Sequence, residues 1–333
     1  MKLLMKSLMR WFQKTKHKDW RREALSAIVK KLNRQSLTMY LDPAVTYTDI
    51  EAKHILRPLS AVLQQAGISN ATSDARCILG LALGRDDPVL PHETLSHWTP
   101  EHHYQLEGLR QRRQTGEPIS RMRGWREFWS MRFDLSPATF DPRPDSETVI
   151  TAATGWARDH RPAARILDLG TGTGCLLMAC LAELPQTTGI GIDISAEAVM
   201  VASANADRHG LSGRGRFCQA DFAADLTGYG LFDLILSNPP YIPSGNIGAL
   251  DTDVRHFDPV AALDGGLDGL DCWRILCPQI DTLLADEGMA FLEIGAGQRT
   301  AVEMLGAASK LHLVGSFADL SGCERCLQFQ KEI

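Results

Sequence analysis

The 333-residue sequence lacks the features that define several protein classes. It contains no uncharged apolar stretch of about 18 or more residues, which excludes a membrane-spanning helix. No Ser/His/Asp triad and no cluster of metal ligands is evident, so triad hydrolases and metalloenzymes are disfavoured. Internal repeats and low-complexity segments are also missing. The composition, 44% apolar and 23% charged, is that of an ordinary globular protein, and the length suggests two domains.

The eight cysteines form no recognisable disulfide or zinc pattern. Several lie in apolar runs, such as Cys175 and Cys180, and we expect buried, reduced thiols in a cytoplasmic protein. Cys323 and Cys326 form a CxxC motif, but no second pair or nearby histidine completes a zinc set. The sequence therefore predicts no metal site.

An excess of positive charge is found only in the first 37 residues. Residues 1–37 carry eleven Lys and Arg against two acidic residues, a net charge of +9, whereas the remainder of the chain carries −14. An acidic body does not suit a protein that grips nucleic acid through phosphates, so we expect no stable nucleic-acid binding. Residues 1–45 are predicted to form a basic extension without fixed structure. Membrane-surface contact, RNA contact and a mitochondrial presequence are its alternative interpretations.

The apolar pattern divides the rest of the chain into three parts. Residues 46–120 have helical periodicity, with a first helix capped near Thr48, and predict a small all-helical domain. Residues 121–148 alternate in part and end in a Pro-rich turn, which predicts a β-hairpin linker. Residues 149–333 alternate strand-like and helical runs, which predicts an α/β domain with a parallel sheet.

A glycine-rich loop follows the first strand of this α/β region. The run from Asp168 to Gly174 precedes a helix, where glycines let the backbone approach a bound nucleoside at the positive helix end. A dinucleotide fingerprint needs a third glycine at position 175, which is Cys175, and this disfavours a dehydrogenase. The predicted cofactor-binding residues of the loop are Gly170, Thr171, Gly172, Thr173 and Gly174.

Acidic residues follow the next two predicted strands. Asp193 lies about 20 residues beyond the glycine loop, where a carboxylate binds ribose hydroxyls. Its alternative role is a helix N-cap, which Ser195 could also fill. Asp221 can accept a hydrogen bond from an exocyclic amine, and Phe222 can stack on adenine. Because parallel strands end at one edge of a sheet, these residues predict a nucleoside site there.

The segment Ser237–Tyr241, with the sequence SNPPY, is the most specific motif. Two consecutive prolines end a strand and leave the Asn238 side-chain oxygen and the Pro239 carbonyl free to accept from a planar NH2 group. Pro240 and Tyr241 supply a wall for a flat substrate. Amide nitrogens are poor nucleophiles because their lone pair is delocalised, so two acceptors would orient such a nitrogen toward a sulfonium methyl. Asn238, Pro239 and Tyr241 are the predicted catalytic residues.

The motif order DLGTGTG, GIDIS, ADF and SNPPYIP resembles the class I methyltransferases, and more narrowly the HemK/PrmC family of release-factor glutamine methyltransferases. The resemblance extends from residue 46 to the end and includes the segments TGEPI, PRPDSE and LEIG. The PRPDSE segment distinguishes this family from its relative that methylates a ribosomal protein. Phe222 is a departure, because the family usually has tryptophan or a similar aromatic there.

The resemblance implies a Rossmann-like, seven-stranded class I fold with a helical N-terminal domain that recognises the substrate. It implies S-adenosylmethionine as the cofactor, contacted by the glycine loop, Asp193, Asp221, Phe222 and Asn238. It implies a glutamine of a translation release factor as the substrate, bound by Asn238, Pro239, Pro240 and Tyr241. The protein is then a cytoplasmic monomer, and Arg143 and Glu147 lie near its pocket.

Other interpretations use the same residues. An adenine-N6 nucleic-acid methyltransferase also binds a planar NH2 group, but the acidic body argues against it. A ribosomal-protein glutamine methyltransferase shares the chemistry, and only the PRPDSE segment argues against it. A cofactor-binding assembly factor without activity would have no use for the intact SNPPY motif.

Overall fold

The computed structural model describes residues 41–162 and 164–332. The basic segment 1–40, and with it most of the predicted extension 1–45, lies outside these residues. The chain separates into two compact units that divide between Gln114 and Thr115. No helix among the described residues is long and apolar enough to cross a membrane.

The first unit is mainly helical. Its helices are α1 (Lys53–Gln65), α2 (Ala71–Ala82) and α3 (Pro100–Gln114). Ile55, Leu59 and Leu63 recur along one face of α1 and are fully buried, as amphipathic periodicity requires. Pro100 begins α3, and proline is favoured at the first position of a helix.

The all-helical prediction for this unit was wrong at one point. Strand β1 (Tyr47–Glu51) occupies the segment where a helix cap was expected at Thr48, and it pairs antiparallel with β2 (Thr94–Trp98). Thr48 pairs with His97, and Ile50 pairs with Leu95. A strand whose partner lies this far along the chain is invisible to a search for local periodicity.

The second unit begins with a short helix and a hairpin. They are α4 (Ile119–Arg123), β3 (Trp125–Phe128) and β4 (Met131–Asp134). Trp129 and Ser130 join the two strands and have φ values of 52° and 55°. Two consecutive positive φ values give a two-residue turn whose twist matches that of the strands. The hairpin lies within the segment 121–148 that was expected to form one.

A seven-stranded sheet forms the centre of this unit and confirms the predicted fold. Its strands are β5 (Arg165–Leu169), β6 (Thr188–Asp193), β7 (Gly215–Gln219), β8 (Phe232–Ser237), β9 (Leu284–Glu293), β10 (Leu311–Ala318) and β11 (Glu324–Lys331). Their spatial order is β10-β11-β9-β8-β5-β6-β7. Only β11 runs antiparallel to the other six strands.

Helices cover both faces of the sheet. They are α5 (Glu147–His160), α6 (Cys175–Glu183), α7 (Ala196–Arg208), α8 (Thr252–Phe257), α9 (Asp271–Leu283) and α10 (Arg299–Ala308). Side chains alternate between faces along each strand, so Ile166 and Leu234 join one apolar core while Leu167 and Ile235 join the other. Helices α5, α6 and α7 contribute to the first core, and α9 and α10 to the second.

The direction of strand addition reverses beside β5. The chain proceeds outward from β5 to β6 and β7, and then returns to place β8 on the other side of β5. In open α/β sheets, ligands bind in the crevice at the carboxyl ends of the strands next to such a reversal. The segments that follow β5 and β8 are the glycine loop and the SNPPY motif.

Candidate active site

The glycine loop between β5 and α6 adopts a conformation that favours glycine. Gly170, Gly172 and Gly174 have φ values of 76°, 56° and 81°. The N–H groups of Gly170 and Thr171 both donate to the Ile192 carbonyl at 2.9 Å, which anchors the loop to β6. A Cβ on Gly172 would meet no atom within 4 Å. The backbone of the loop therefore borders open space at the carboxyl edge of the sheet.

A buried carboxyl lies directly before this loop. Asp168 accepts from the Thr171 hydroxyl at 2.6 Å through Oδ2, and its Oδ1 has no hydrogen-bond partner among the described residues. Burial raises the pKa of Asp168 to about 7, and the nearby charge of Asp193 adds to the shift. Thr173 is held through its carbonyl, which accepts from Asn205 Nδ2 at 3.1 Å. Sequence reasoning assigned Asp168 no role, although a carboxylate inside the apolar strand RILDL is a signal.

Asp193 ends β6 and faces the loop. Its Oδ2 accepts from the Gly172 N–H and its Oδ1 from the Ser195 N–H, both at 2.9 Å. The N-cap of α7 is Ser195, whose hydroxyl accepts from the Ala198 N–H at 3.2 Å. The capping role therefore falls to Ser195, and the half-buried Asp193 carboxylate lies beside the backbone of the glycine loop.

Asp221 and Phe222 follow β7, one strand further out on the same edge. Asp221 is exposed, and its Oδ1 accepts from the Ala223 N–H at 2.8 Å, which closes a tight turn. Phe222 is half-buried and packs against the second core. The structure thus gives Asp221 a turn-stabilising contact and leaves part of the Phe222 ring accessible.

The SNPPY motif begins where β8 ends, as expected for consecutive prolines. The Ser237 hydroxyl donates to the Leu169 carbonyl at 2.7 Å and ties this strand end to the start of the glycine loop. Asn238 Nδ2 donates to the Ser146 hydroxyl at 3.1 Å. Pro239 is buried and Pro240 is half-buried. The nitrogen end of the Asn238 amide is engaged, and its oxygen end is the one left for a ligand.

Tyr241 is held by the segment that follows β9. A Cβ on Gly295 would lie 2.9 Å from Tyr241 Cδ2, so the ring packs against a position that has no room for a side chain. Gln298 Nε2 donates to the Tyr241 carbonyl at 3.0 Å and to the Gly269 carbonyl at 3.1 Å. Burial raises the pKa of Tyr241 far above its ordinary value, and the negative charge of Glu293 adds to the shift. The phenol stays neutral.

Glu293, the last residue of β9, is a member of the site that sequence reasoning missed. It is 2% exposed, and its Oε2 has no hydrogen-bond partner among the described residues. Burial raises its pKa to about 7, although hydrogen bonding from Ser146 and Asn238 opposes the shift. The available signal was an acidic residue closing the apolar strand MAFLE, at the same edge as Asn238.

Arg143 and Glu147, expected near the pocket, have structural partners. Arg143 Nη2 donates to Asp258 Oδ2 at 2.6 Å, and Arg121 Nη2 donates to Asp258 Oδ1 at the same distance. The Asp258 side chain is only 1% exposed, so both guanidinium groups compensate a buried charge. Glu147 Oε1 accepts from the Trp129 N–H at 3.1 Å, within the tight turn of the hairpin.

The predicted site residues therefore meet at one edge of the sheet, at the ends of β5, β6, β7 and β8. The Asp193 carboxylate and the backbone N–H groups beside it lie on the β6 side of β5. The acceptors of the SNPPY motif lie on the β8 side, across the point where the strand order reverses. Among residues 41–162 and 164–332, no group of three or more His, Cys, Asp or Glu side chains is arranged to hold a metal ion. Such an edge can bind a nucleoside and a planar amide side by side.

Two family models and several known proteins match most of this chain. A family model described as the PrmC N-terminal domain matches residues 54–124, and one described as a methyltransferase domain matches residues 160–288. A release factor glutamine methyltransferase of Rhodospirillum rubrum is 46% identical over 265 residues, which span 80% of this chain and 80% of that protein. Its counterpart in Bradyrhizobium diazoefficiens is 42% identical, with 83% of this chain and 93% of that protein covered.

One of the solved structures that are similar to this chain is that of a release factor-specific protein-(glutamine-N5) methyltransferase of Alicyclobacillus acidocaldarius. It is 24% identical, covers 58% of this chain and 94% of that chain, and has a TM-score of 0.36. The sequence relatives are much closer to this chain than that structure is. Sequence identities of 46% and 42% to these relatives, over most of both chains, show that this chain belongs to the release factor glutamine methyltransferase family.

Proposed function

We propose that this enzyme transfers a methyl group from S-adenosylmethionine to the side-chain amide nitrogen, N5, of a glutamine in a translation release factor. The observation that carries the proposal is the position of Asn238, which follows β8 directly beside the glycine loop that follows β5. The acceptor atoms needed to bind a planar NH2 group thus lie next to a backbone that can cradle a nucleoside.

The residues present fit the proposed cofactor. The Gly172 backbone borders open space, so a ligand can approach it closely. In this proposal, Gly170–Gly174 and Asp193 hold the amino-acid and ribose parts, while Asp221 and Phe222 hold the adenine. When bound, S-adenosylmethionine supplies an electrophilic methyl group on a sulfonium.

The protein contributes the orientation of the substrate amide. Asn238 Oδ1 and the Pro239 carbonyl accept hydrogen bonds from the two N–H groups of the glutamine amide. These two bonds turn the nitrogen lone pair toward the methyl group. Pro240 and Tyr241 form the wall against which the flat amide lies. The methylated nitrogen then loses one proton to water. No metal ion or covalent intermediate enters this proposal.

The first compact unit gives the proposal a means of recognising a whole protein. It has its own core, with Leu59, Ile78, Leu79 and Trp98 almost fully buried, and the matching family model spans residues 54–124. We assign it the recognition of the release factor, as expected for the segment 46–120. Translation termination takes place in the cytosol, which is therefore the proposed location.

The test is methyl transfer from labelled S-adenosylmethionine to purified release factor, ribosomal proteins and unmethylated DNA, offered in parallel. We expect label on one glutamine of the release factor, located by mass spectrometry. Label on a ribosomal-protein glutamine would keep the chemistry and replace the partner. Label on DNA alone would overturn the proposal in favour of adenine methylation.

A further inference from the structure

Glu293 is a buried acid that the proposed reaction has not used. It closes β9 at the same sheet edge as Asn238, and one of its oxygens has no hydrogen-bond partner among the described residues. Two side chains approach this carboxyl as hydrogen-bond donors, Ser146 and Asn238. A buried, incompletely satisfied carboxylate is costly, so its position next to the predicted catalytic amide calls for an explanation.

Ser146 is unusual for a serine at a helix N-cap. It precedes α5, but its side chain makes no capping hydrogen bond. Its hydroxyl instead accepts from Asn238 Nδ2 at 3.1 Å. Since a hydroxyl has one hydrogen, Ser146 is left to donate that hydrogen to Glu293, whose carboxylate can only accept.

We propose that Glu293 and Ser146 are positioning residues that turn the Asn238 side chain so that its oxygen, and not its nitrogen, faces the substrate. The ionised Glu293 accepts from Ser146, and Ser146 in turn accepts from Asn238 Nδ2. The two ends of an asparagine amide have nearly the same size, so packing alone cannot select between them. This inference rests on the proposed function, since a substrate NH2 group offers only donors and needs an oxygen opposite it.

Protonation of Glu293 reverses the direction of both hydrogen bonds in this relay. A neutral carboxyl can donate to Ser146, whose hydrogen then turns toward Asn238 and selects Oδ1 as its partner. Asn238 Nδ2 would then face the substrate NH2 group, and because both groups are donors, no hydrogen bond could form between them. The pKa of about 7 places this reversal close to neutral pH, with activity rising as pH increases through that value.

Several charged or titratable groups surround Glu293. Burial is the largest cause of its raised pKa, the Asp145 carboxylate adds to it, and the Arg325 guanidinium opposes it. Arg325 also pairs with Asp145 at 3.2 Å and with Asp319 at 3.1 Å. The remaining neighbours that sense the charge of Glu293 are Tyr241, Cys175 and Cys326.

The central variant is Glu293→Gln, which keeps the size of the side chain but provides an amide that can donate to Ser146. We expect turnover on the release factor at pH 8 to fall about tenfold or more, with unchanged affinity for S-adenosylhomocysteine and no rise through pH 7. Ser146→Ala should also lower turnover, but less than Glu293→Gln does, because the direct hydrogen bond from Asn238 to Glu293 remains. The matched control is Glu303→Gln, an exposed residue on α10. Wild-type turnover and a wild-type pH profile in Glu293→Gln would overturn the proposal.

A spectroscopic measurement tests the relay without any methyl transfer. The chain has five asparagines, so the side-chain amide signals in ¹⁵N-asparagine-labelled protein can be assigned by single substitutions. We expect the Asn238 amide signal to change between pH 6 and pH 8 in the wild type and to stay in its low-pH position in Glu293→Gln.

The two proposals fail in different ways. If the wild type leaves the release factor unmethylated, the proposed function is wrong, and the Asn238 signal alone decides the relay. A signal that responds neither to pH nor to Glu293→Gln would overturn the relay, whether or not methyl transfer takes place.

Discussion

Asn238 follows β8 and Asp193 ends β6, so both lie at the carboxyl edge of the same sheet. Their hydrogen-bond partners belong to different parts of the candidate site. Asn238 donates to Ser146, beside the segment proposed to hold the substrate. Asp193 accepts from Gly172, in the loop proposed to hold the cofactor. Substitutions of these two side chains should therefore separate turnover from cofactor affinity.

Replacing Asn238 with alanine removes one of the two acceptors proposed to orient the substrate amide. We expect turnover to fall about 100-fold or more, in line with the loss of one preorganised hydrogen bond in other active sites. Affinity for S-adenosylhomocysteine, measured by calorimetry, should change little. Asn70→Ala, at an exposed position of the first unit, is the control. Near-full turnover of Asn238→Ala would remove Asn238 from the catalytic residues.

Replacing Asp193 with alanine removes the carboxylate proposed to bind the ribose. We expect cofactor affinity to weaken about tenfold or more, which corresponds to about 1.4 kcal/mol. Turnover at saturating cofactor should recover in large part. Asp159→Ala, on an exposed turn of α5, is the matched control for calorimetry. Equal affinities of wild type and Asp193→Ala would show that the carboxylate does not contact the cofactor.

At the scale of elements, one side chain that follows β9 contacts both ends of the long connection between β8 and α9. Gln298 accepts from the Gly295 N–H at 3.0 Å and donates to the carbonyls of Tyr241 and Gly269. The start of this connection, its end and the turn after β9 are thereby held together. An asparagine or glutamine that satisfies three backbone groups is far more restrictive than a surface contact.

The Gln298→Ala variant should loosen Tyr241 without touching the glycine loop. We expect a rise in KM for the release factor and a loss of about 1–3 kcal/mol in the free energy of unfolding, the usual result of leaving buried backbone groups unpaired. Gln279→Ala, which removes a single hydrogen bond to the Ala224 carbonyl, provides the comparison. The idea fails if the two variants have the same KM and the same stability.

At the scale of the whole molecule, the site makes the stability of the native state depend on pH. Asp168 and Glu293 are both buried with pKa values near 7, whereas carboxyl groups in an unfolded chain titrate near pH 4. The native state therefore binds these two protons more tightly than the unfolded state does. Their contribution is favourable at low pH and is lost as pH rises from about 4.5 to about 7.

The Glu293→Gln variant removes one of the two groups from this balance. A pKa raised from 4.5 to about 7 corresponds to about 3 kcal/mol of stability. At pH 8 the free energy of unfolding of the variant should therefore exceed that of the wild type by up to this amount. Near pH 4.5 the two proteins should be equally stable. Denaturant unfolding at both pH values, with Glu303→Gln as control, measures the difference. Lower stability of Glu293→Gln at pH 8 would contradict the assigned pKa.

Much of the fold and of the candidate site was predictable because it depends on local chemistry. Strand and helix periods marked the sheet, the glycines at 170, 172 and 174 have the positive φ values that a loop of this kind needs, and consecutive prolines end β8. Strand β1 was missed because its partner β2 is distant in sequence. The roles of Arg143 and Glu147 were also undecidable, because their partners Asp258 and Trp129 come from other segments.

The sequence by itself determined the α/β class and the positions of the glycine loop and the SNPPY motif, since each arises from residues adjacent in the chain. Only the tertiary structure decided which end of the Asn238 amide is engaged and which acids lose contact with water. Ser146 and Glu293 lie far from Asn238 in the chain and meet it only where parallel strands end at one edge. Burial and hydrogen-bond direction belong to that assembled edge, because both depend on neighbours that the local sequence does not contain.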